Sequence, residues 1–201
     1  IGLHNLPPYI KKFLKAYPTV HVHVEYRRAN QVYEDVIGNV VDLGLVAFPV
    51  RDSKLEVVHL QKDAMVLVCH PQHPLARSRT VKAAAIAGEK FIAFEADIPT
   101  RKAIDKVLKE HGVTVHPVME FDNIETIKQA VEIGAGISIL PEPTVRQETQ
   151  NGSLVAVRLI APELKRPVGI IHRQRKVFTP TTAKFVELLQ KVQESRAEDG
   201  E

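Results

Sequence analysis

The residues with the clearest capacity for chemistry are Thr100 and Arg101, which follow a strand-like segment and open a helical one. An arginine guanidinium is planar and can hold a carboxylate, sulfate or phosphate through two parallel hydrogen bonds. A threonine in a first helical turn can cap the helix or contact a ligand. The pair therefore predicts an anion-binding position, although Arg101 can instead pair with Glu95, Asp97 or Asp105.

A second candidate group is the sequence Phe121-Asp122-Asn123, which precedes an amphipathic segment. Asp122 and Asn123 can cap the following helix, and Glu125 falls in its first turn, where the helix dipole favours a carboxylate. Free backbone N–H groups at a helix start are suited to anions. Two interpretations stay open for this group, namely helix capping with packing, or lining of a ligand site.

Phe48 and Pro49 follow the apolar run 42–47, which predicts a strand of a parallel sheet. Open α/β folds bind ligands at the carboxyl ends of their strands, so both residues are candidates for a ligand site. The alternative is a simple strand-ending turn. His4 lies near the start of the first predicted helix, where it can contact an anion or be an exposed terminal histidine.

The other reactive side chains suggest no catalytic or metal-binding group. His21 and His23 alternate on one strand face, but no third metal ligand is suggested nearby. Cys69, the single cysteine, excludes an internal disulfide framework and lies in an apolar strand, where core packing is expected and a redox role stays open. The sequence has no nucleophile elbow, phosphate-binding loop or zinc-ligand spacing. We predict no catalytic residue, no metal and no cofactor, and hence no enzyme.

Composition is that of an ordinary globular protein, with 44% hydrophobic and 25% charged residues in a chain of 201. No apolar run approaches the roughly 18 residues of a membrane span. The net charge of +3 is dispersed over separate doublets, which argues against a nucleic-acid surface. The single cysteine favours a reducing compartment, so we expect a cytoplasmic protein. Because Ile1 is not methionine and no signal peptide follows, we expect a fragment of a longer protein.

The first quarter of the chain alternates between helical and strand-like patterns. The spacing predicts a helix over 6–17, a strand over 20–25, a helix over 31–39 and a strand over 42–47. This order is typical of a parallel sheet, and it suggests that the first strand of the sheet lies before Ile1.

The remainder continues in the same α/β style. Further strands are predicted over 55–61, 64–70, 90–94, 115–121, 137–140, 154–160 and 168–172. Further helices are predicted over 81–87, 99–112, 124–133 and 143–151, with a last one from Thr179. Gly134 and Gly136 are expected to supply positive φ angles for a helix C-cap and a tight turn.

Domain organisation follows from two proline-containing breaks that bracket the middle of the chain. The last predicted strand and helix have no sheet of their own, so they are assigned back to the first domain. The predicted division is subdomain I over 1–69 and 169–196, subdomain II over 70–168, and a disordered tail over 197–201. A ligand is expected in the cleft between subdomains, where such sites commonly form.

Six short segments in this order resemble the effector-binding portion of LysR-type transcriptional regulators, over essentially the whole chain. They are residues 6–18, 38–46, 73–76, 91–94, 100–101 and 134–141. The resemblance implies an α/β fold of two Rossmann-like subdomains joined by two crossover strands, of the periplasmic-binding-protein type II kind. It also implies a winged helix-turn-helix before Ile1, which would be the only part to touch promoter DNA.

The resemblance further implies a small effector, expected to be anionic, bound in the cleft, and self-association to a dimer or tetramer. The dimer would pack the helix over 9–17 or 31–39 against the helix over 124–133. Where many relatives have Gly-Ser-Gly-Thr-Arg, this chain has Asp97-Ile-Pro-Thr-Arg101, which removes a nest of N–H groups. The predicted effector-binding residues are Leu3, His4, Asn5, Phe48, Pro49, Glu95, Thr100, Arg101, Phe121, Asp122 and Asn123.

Two other functions remain open. An exported solute-binding protein of a transporter would share the fold, and an enzyme could use a two-domain α/β scaffold. The sequence that precedes Ile1 in the longer protein would separate the regulator from the solute-binding protein. A helix-turn-helix there indicates a regulator, and a signal peptide indicates a transporter component.

Overall fold

A computed structural model describes the backbone of residues 2–198 and the side chains of residues 6–191. Within that range the helices are α1 (Gly2–Ala16), α2 (Ala29–Ile37), α3 (Pro99–Glu110), α4 (Ile124–Glu132), α5 (Arg146–Asn151) and α6 (Pro180–Glu198). The strands are β1 (Gly44–Ala47), β2 (Leu55–Cys69), β3 (Thr80–Lys82), β4 (Phe91–Phe94), β5 (Pro117–Phe121), β6 (Ser138–Pro141), β7 (Val155–Ile160) and β8 (Lys165–Arg173).

The chain divides into two compact α/β units. Unit 1 comprises Ile1–Lys62 and Pro167–Glu201, and unit 2 is Asp63–Arg166. The chain enters unit 2 within β2 and leaves it within β8, so both crossings are made by strands. The predicted tail over 197–201 lies outside the described residues, except that its first two residues belong to α6.

The positions of the crossings differ from those drawn from the sequence, at 69/70 and 168/169. The two strands predicted over 55–61 and 64–70 form the single strand β2 of 15 residues. The change of unit falls inside it, between Lys62 and Asp63. Proline breaks mark where secondary structure ends, but a strand can pass between units without any break in its backbone pattern.

In unit 1, β8 lies between β1 and β2, and β1 pairs with it in an antiparallel ladder. Successive side chains of a strand point to opposite faces of its sheet. Ile170 accordingly belongs to a core cluster with Tyr9 of α1, whereas Ile171 belongs to a different cluster with Val36 of α2. Helices α1 and α2 therefore cover opposite faces of this sheet.

The strand predicted over 20–25 is absent, because no described strand pairs with this segment. The alternation that suggested a strand is nevertheless visible in its side chains. Glu25 accepts hydrogen bonds from His23 and Arg27, at 2.9 Å and 2.6 Å, as side chains two positions apart on an extended chain can. The prediction was wrong because a strand needs a neighbour, which this segment lacks among the described residues.

In unit 2, the second half of β2 pairs with both β6 and β7, and β3 runs parallel to β7. Separately, β4 and β5 form a parallel pair, and Phe91 at the start of β4 bridges to Ile137. One continuous core joins these layers to the helices, with Leu67, Ile127 and Leu140 fully buried in it. Unit 2 therefore holds its strand ends and helix starts on a single packed framework.

Two local predictions in unit 2 also need correction. The helix predicted over 81–87 is β3 followed by a single 3-10 turn at Ala83–Ile86, because Val81 is held in a ladder with Leu159. Gly134 has the expected positive φ, at 75°, but Gly136 is not among the glycines of positive φ in the described chain. Glycine is needed at position 136 because a Cβ there would lie too close to the backbone carbonyl of Lys90.

Candidate functional site

The carboxyl ends of β4 and β5 lie side by side, since Phe94 is opposite Phe121 in their parallel ladder. Glu95 N–H donates to the Phe121 carbonyl at 3.0 Å, which extends the pairing by one residue. Helix α3 begins after β4 and helix α4 after β5, so two helix starts are brought to one sheet edge, the strand-end edge. It carries six of the predicted site residues, namely Glu95, Thr100, Arg101, Phe121, Asp122 and Asn123.

The start of α3 presents backbone donors without a side-chain cap. Ile98 occupies the N-cap position and makes no capping hydrogen bond, and Pro99 follows at the first helical position. Proline has no N–H, so the unpaired helix-start donors are those of Thr100 and Arg101. Thr100 is only 5% exposed, and its hydroxyl forms no hydrogen bond within the described part of the chain. This turn combines two N–H groups with the hydroxyl of a largely buried threonine.

Arg101 is held by three acceptors and is 12% exposed. Its Nε donates to Asp105 at 2.7 Å, and its Nη1 donates to Glu120 at 2.6 Å and to the Phe94 carbonyl at 2.7 Å. Burial alone would lower the pKa of Arg101, but the hydrogen bonds to Glu120 and Asp105 outweigh burial and raise the pKa. The guanidinium therefore stays charged and fastens α3 to the ends of β4 and β5.

The ion-pair interpretation of Arg101 is thus the one that the structure displays, with Asp105 as one of its foreseen partners. Glu120 was not foreseen. Its only signal in the sequence is a single charge in an otherwise apolar strand, and its cross-strand position opposite Ala93 depends on the register of β4 and β5. Two carboxylates around one guanidinium leave this cluster with a net negative charge.

Asn123 caps α4, as predicted. Its side-chain oxygen accepts from the Thr126 N–H at 2.9 Å and from the Thr126 hydroxyl at 3.0 Å. Asp122 does not cap the helix; its carboxylate accepts a hydrogen bond from the Asn123 amide at 2.9 Å. Glu125 lies in the first turn of α4, where the helix dipole favours a carboxylate. The polar groups of this loop are therefore largely used to order the loop itself.

Phe48 and Pro49 follow the carboxyl end of β1 in unit 1. Phe48 has a φ of 50°, in the left-handed region that a bulky residue rarely adopts. Its N–H donates to the Pro167 carbonyl at 2.8 Å, which holds the turn in place. Strain of this kind costs about 1–3 kcal/mol and is concentrated at functional sites. The side chains of Leu3, His4 and Asn5, in the first turns of α1, lie outside the described residues.

Among the described residues, the other reactive groups form no second site. Cys69 is fully buried, and burial raises the pKa of its thiol to about 11, so the thiol stays protonated near neutral pH. Among the described residues, no group of three or more His, Cys, Asp or Glu side chains could hold a metal ion. None of the described helices is both long and apolar enough to cross a membrane.

Comparison with known sequences matches the chain to one family model and to transcriptional regulators. A family model described as LysR substrate binding domain matches residues 1–194. The chain is 29% identical over 184 residues to the uncharacterized HTH-type transcriptional regulator YbhD of Escherichia coli K12, covering 92% of this chain and 58% of that protein. It is 26% identical over 188 residues to the HTH-type transcriptional activator CmpR of Synechocystis, covering 94% of this chain and 62% of that protein. The chain thus spans about three fifths of the length of these relatives.

Solved structures show the same likeness. The CcmR regulatory domain of Synechocystis PCC6803, in complex with 2-PG, superposes with a TM-score of 0.85 at 25% identity, over 96% of this chain and 93% of that one. The QuiR effector binding domain in complex with shikimate has a TM-score of 0.84 at 17% identity, over 96% and 92%, which shows the fold alone. The predicted fold class, a periplasmic-binding-protein type II-like α/β fold, is confirmed.

Proposed function

The chain belongs to the LysR substrate-binding-domain family, and we propose that it senses a small-molecule effector and self-associates within a longer, DNA-binding transcription regulator. The strand-end edge of unit 2 is the observation that carries the effector part of this proposal. Backbone donors of α3 and the Thr100 hydroxyl lie there together, without a protein partner for that hydroxyl in the described residues. Such a group of donors suits a small polar ligand.

Arg101 acts in this proposal as a positioning residue, because its charge is already matched by Asp105 and Glu120. Thr100 is the direct contact. The remaining candidates at this edge, Glu95 and the loop of Phe121, Asp122 and Asn123, line the site. Phe48 and Pro49 are candidate contacts at the strand end of unit 1, and Leu3, His4 and Asn5 stay predictions from the family resemblance.

The charges of the edge limit the kind of effector. Arg101 is already paired with Asp105 and Glu120, so it offers no unmatched positive charge to a ligand. We therefore narrow the predicted anionic effector to a metabolite with one negative group, held by N–H and hydroxyl donors, which includes zwitterions.

A thermal-shift screen followed by calorimetry tests this site. Small hydroxy acids, amino acids, sulfates and phosphates are compared with uncharged analogues, and the best binder is titrated into Thr100→Val, which keeps the shape and removes the hydroxyl. A hydrogen bond to a charged group contributes about 1.5–3 kcal/mol, so Kd should rise about 10- to 100-fold. Unchanged affinity in a folded Thr100→Val protein would remove Thr100 from the site.

Thr126→Val is the matched control. The same substitution is made on α4, where the hydroxyl bonds only within the cap of its own helix. It should leave Kd unchanged while costing a small amount of stability. If both variants weaken binding equally, the loss reflects the folding of this edge and not a contact by Thr100.

Self-association is the second part of the proposal. Val118 and Met119 on β5 and Ile133 at the end of α4 are 51%, 41% and 79% exposed, although large and apolar. Large apolar side chains that stay exposed can contribute to association surfaces. We predict a dimer or tetramer by sedimentation, and a shift toward monomer in the Met119→Lys variant. A monomer at high protein concentration would contradict this part of the proposal and leave the effector site untouched.

We propose that other parts of the longer protein contact promoter DNA. The protein is proposed to act in the cytoplasm, where that DNA lies. The chain is proposed to have no catalytic role. The relatives named above are transcription regulators, so the alternative of an exported solute-binding protein is not favoured. The sequence that precedes Ile1 tests the choice between regulator and transporter component. A helix-turn-helix there would support the regulator, and a signal peptide would support the transporter component.

A further inference from the structure

The Phe48 turn, which comprises residues 48–50 after β1, is anchored at both ends. Phe48 N–H donates to the Pro167 carbonyl of β8 at 2.8 Å. Val50 N–H donates to the Tyr33 hydroxyl of α2 at 2.9 Å. The first anchor is a backbone carbonyl, which any residue would supply, whereas the second is a side chain 17 positions earlier in the chain. The second anchor therefore depends on the residue type at position 33.

The turn needs anchors because its backbone is strained. Phe48 has a φ of 50°, a conformation in which a bulky side chain crowds the backbone. Conformations of this kind persist only where the surrounding contacts enforce them. Pro49 adds packing to the two hydrogen bonds, since a Cβ at Gly169 would lie 3.2 Å from its ring. Loss of one anchor should let the turn relax toward more common backbone conformations.

Tyr33 is suited to hold the turn in a fixed place. Its ring packs against an apolar cluster that includes Val36, Val46 and Ile171, and this packing orients the hydroxyl. A phenol oxygen that accepts a hydrogen bond also has a hydrogen to donate, but no described residue accepts that hydrogen. Replacement of Tyr33 by phenylalanine would therefore remove one hydrogen bond within the described protein and keep the packing of the ring.

We propose that Tyr33 is a positioning residue for the unit 1 part of the effector site, and that it holds Phe48 and Pro49 in the conformation that meets the effector. The inference rests on the proposed function, in which Phe48 and Pro49 are candidate contacts. Tyr33 acts through the turn and needs no contact with the effector. A site that is correctly formed for only a fraction of the time binds more weakly by that fraction, so a loosened turn raises Kd.

Calorimetry on the Tyr33→Phe variant tests this role, with the best-binding compound of the thermal-shift screen as the probe. Kd should rise about 2- to 10-fold, the factor that corresponds to one net hydrogen bond. Tyr17→Phe is the matched control, because Tyr17 is also half-buried in unit 1 and its hydroxyl makes no hydrogen bond to a described residue. This control should leave Kd unchanged.

Two different results separate this inference from the proposed function on which it rests. Equal Kd values for the parent protein and Tyr33→Phe would overturn the inference and leave the effector site in place. Absence of binding between the parent protein and every compound of the screen would instead contradict the proposed function.

Hydrogen exchange distinguishes positioning of the turn from a general loss of structure. In Tyr33→Phe, the Val50 amide should exchange about tenfold faster, because it loses its acceptor. The amides that join β1 and β8 are internal controls and should keep their exchange rates. If these ladder amides also exchange faster, weaker binding reflects damage to unit 1 and the proposal is wrong. Unchanged exchange at Val50 would show that the hydroxyl does not hold the turn, which also overturns the proposal.

Discussion

Replacing Arg166 with methionine should lower the free energy of unfolding of unit 2 by about 3–5 kcal/mol. Arg166 and Asp63 are the last and first residues of unit 2, and their side chains are 3% and 1% exposed. The Arg166 Nη2 and Nε both donate to one Asp63 oxygen, at 2.6 Å and 3.1 Å. Burial lowers the pKa of Arg166, and the attraction of Asp63 opposes that shift. Without the arginine, a buried carboxylate loses its compensating charge.

Denaturant unfolding followed by circular dichroism measures this loss, since the chain has no tryptophan to serve as a fluorescent reporter. The matched control replaces both partners, as Asp63→Leu with Arg166→Met. A buried ion pair exchanged for apolar side chains of similar volume is often neutral, so the double variant should be more stable than the single one. A single variant as stable as the parent would show that the pair adds nothing to unit 2.

The substitution Gly136→Ala should destabilise unit 2 by about 3 kcal/mol, the upper range for forcing atoms into a packed site. A Cβ at this position would lie 2.4 Å from the Lys90 carbonyl oxygen and 3.0 Å from its carbon. That carbonyl cannot easily move, because it accepts the Ile137 N–H at 2.8 Å beside the bridge between Phe91 and Ile137. Relief of the contact would break the link between β4 and the strand that follows α4.

The control for Gly136→Ala is two residues away. Gly134 has a φ of 75°, and a Cβ there would meet no atom within 4 Å. Gly134→Ala should therefore cost only the strain of a left-handed alanine, about 1–2 kcal/mol. Urea denaturation of both variants separates the two mechanisms. A larger loss for Gly134→Ala than for Gly136→Ala would mean that backbone conformation, and not close approach, sets the requirement for glycine here.

Much of unit 2 is predictable from the sequence because its signals are local. Asn123 was recognised as a cap from its place before an amphipathic run, and its oxygen does accept the Thr126 N–H. The candidate residues around Thr100 and Phe121 were predicted to lie at one site, and parallel strand ends do bring them to one edge. The segment over 20–25 shows the limit of the same reasoning, since its alternation could not disclose whether a neighbouring strand is present.

What the sequence determined by itself was most of the order of helices and strands, the cap of α4 and the fold class, because periodicity and capping depend on residues a few positions apart. Tertiary structure alone decided the partners of the charged groups that are distant in sequence, and the close neighbours of Gly136. Arg101 meets Glu120 across 19 positions, and Asp63 meets Arg166 across 103. Such pairs depend on strand register and on the packing of a whole unit. A buried charge must be matched by whatever that packing brings beside it.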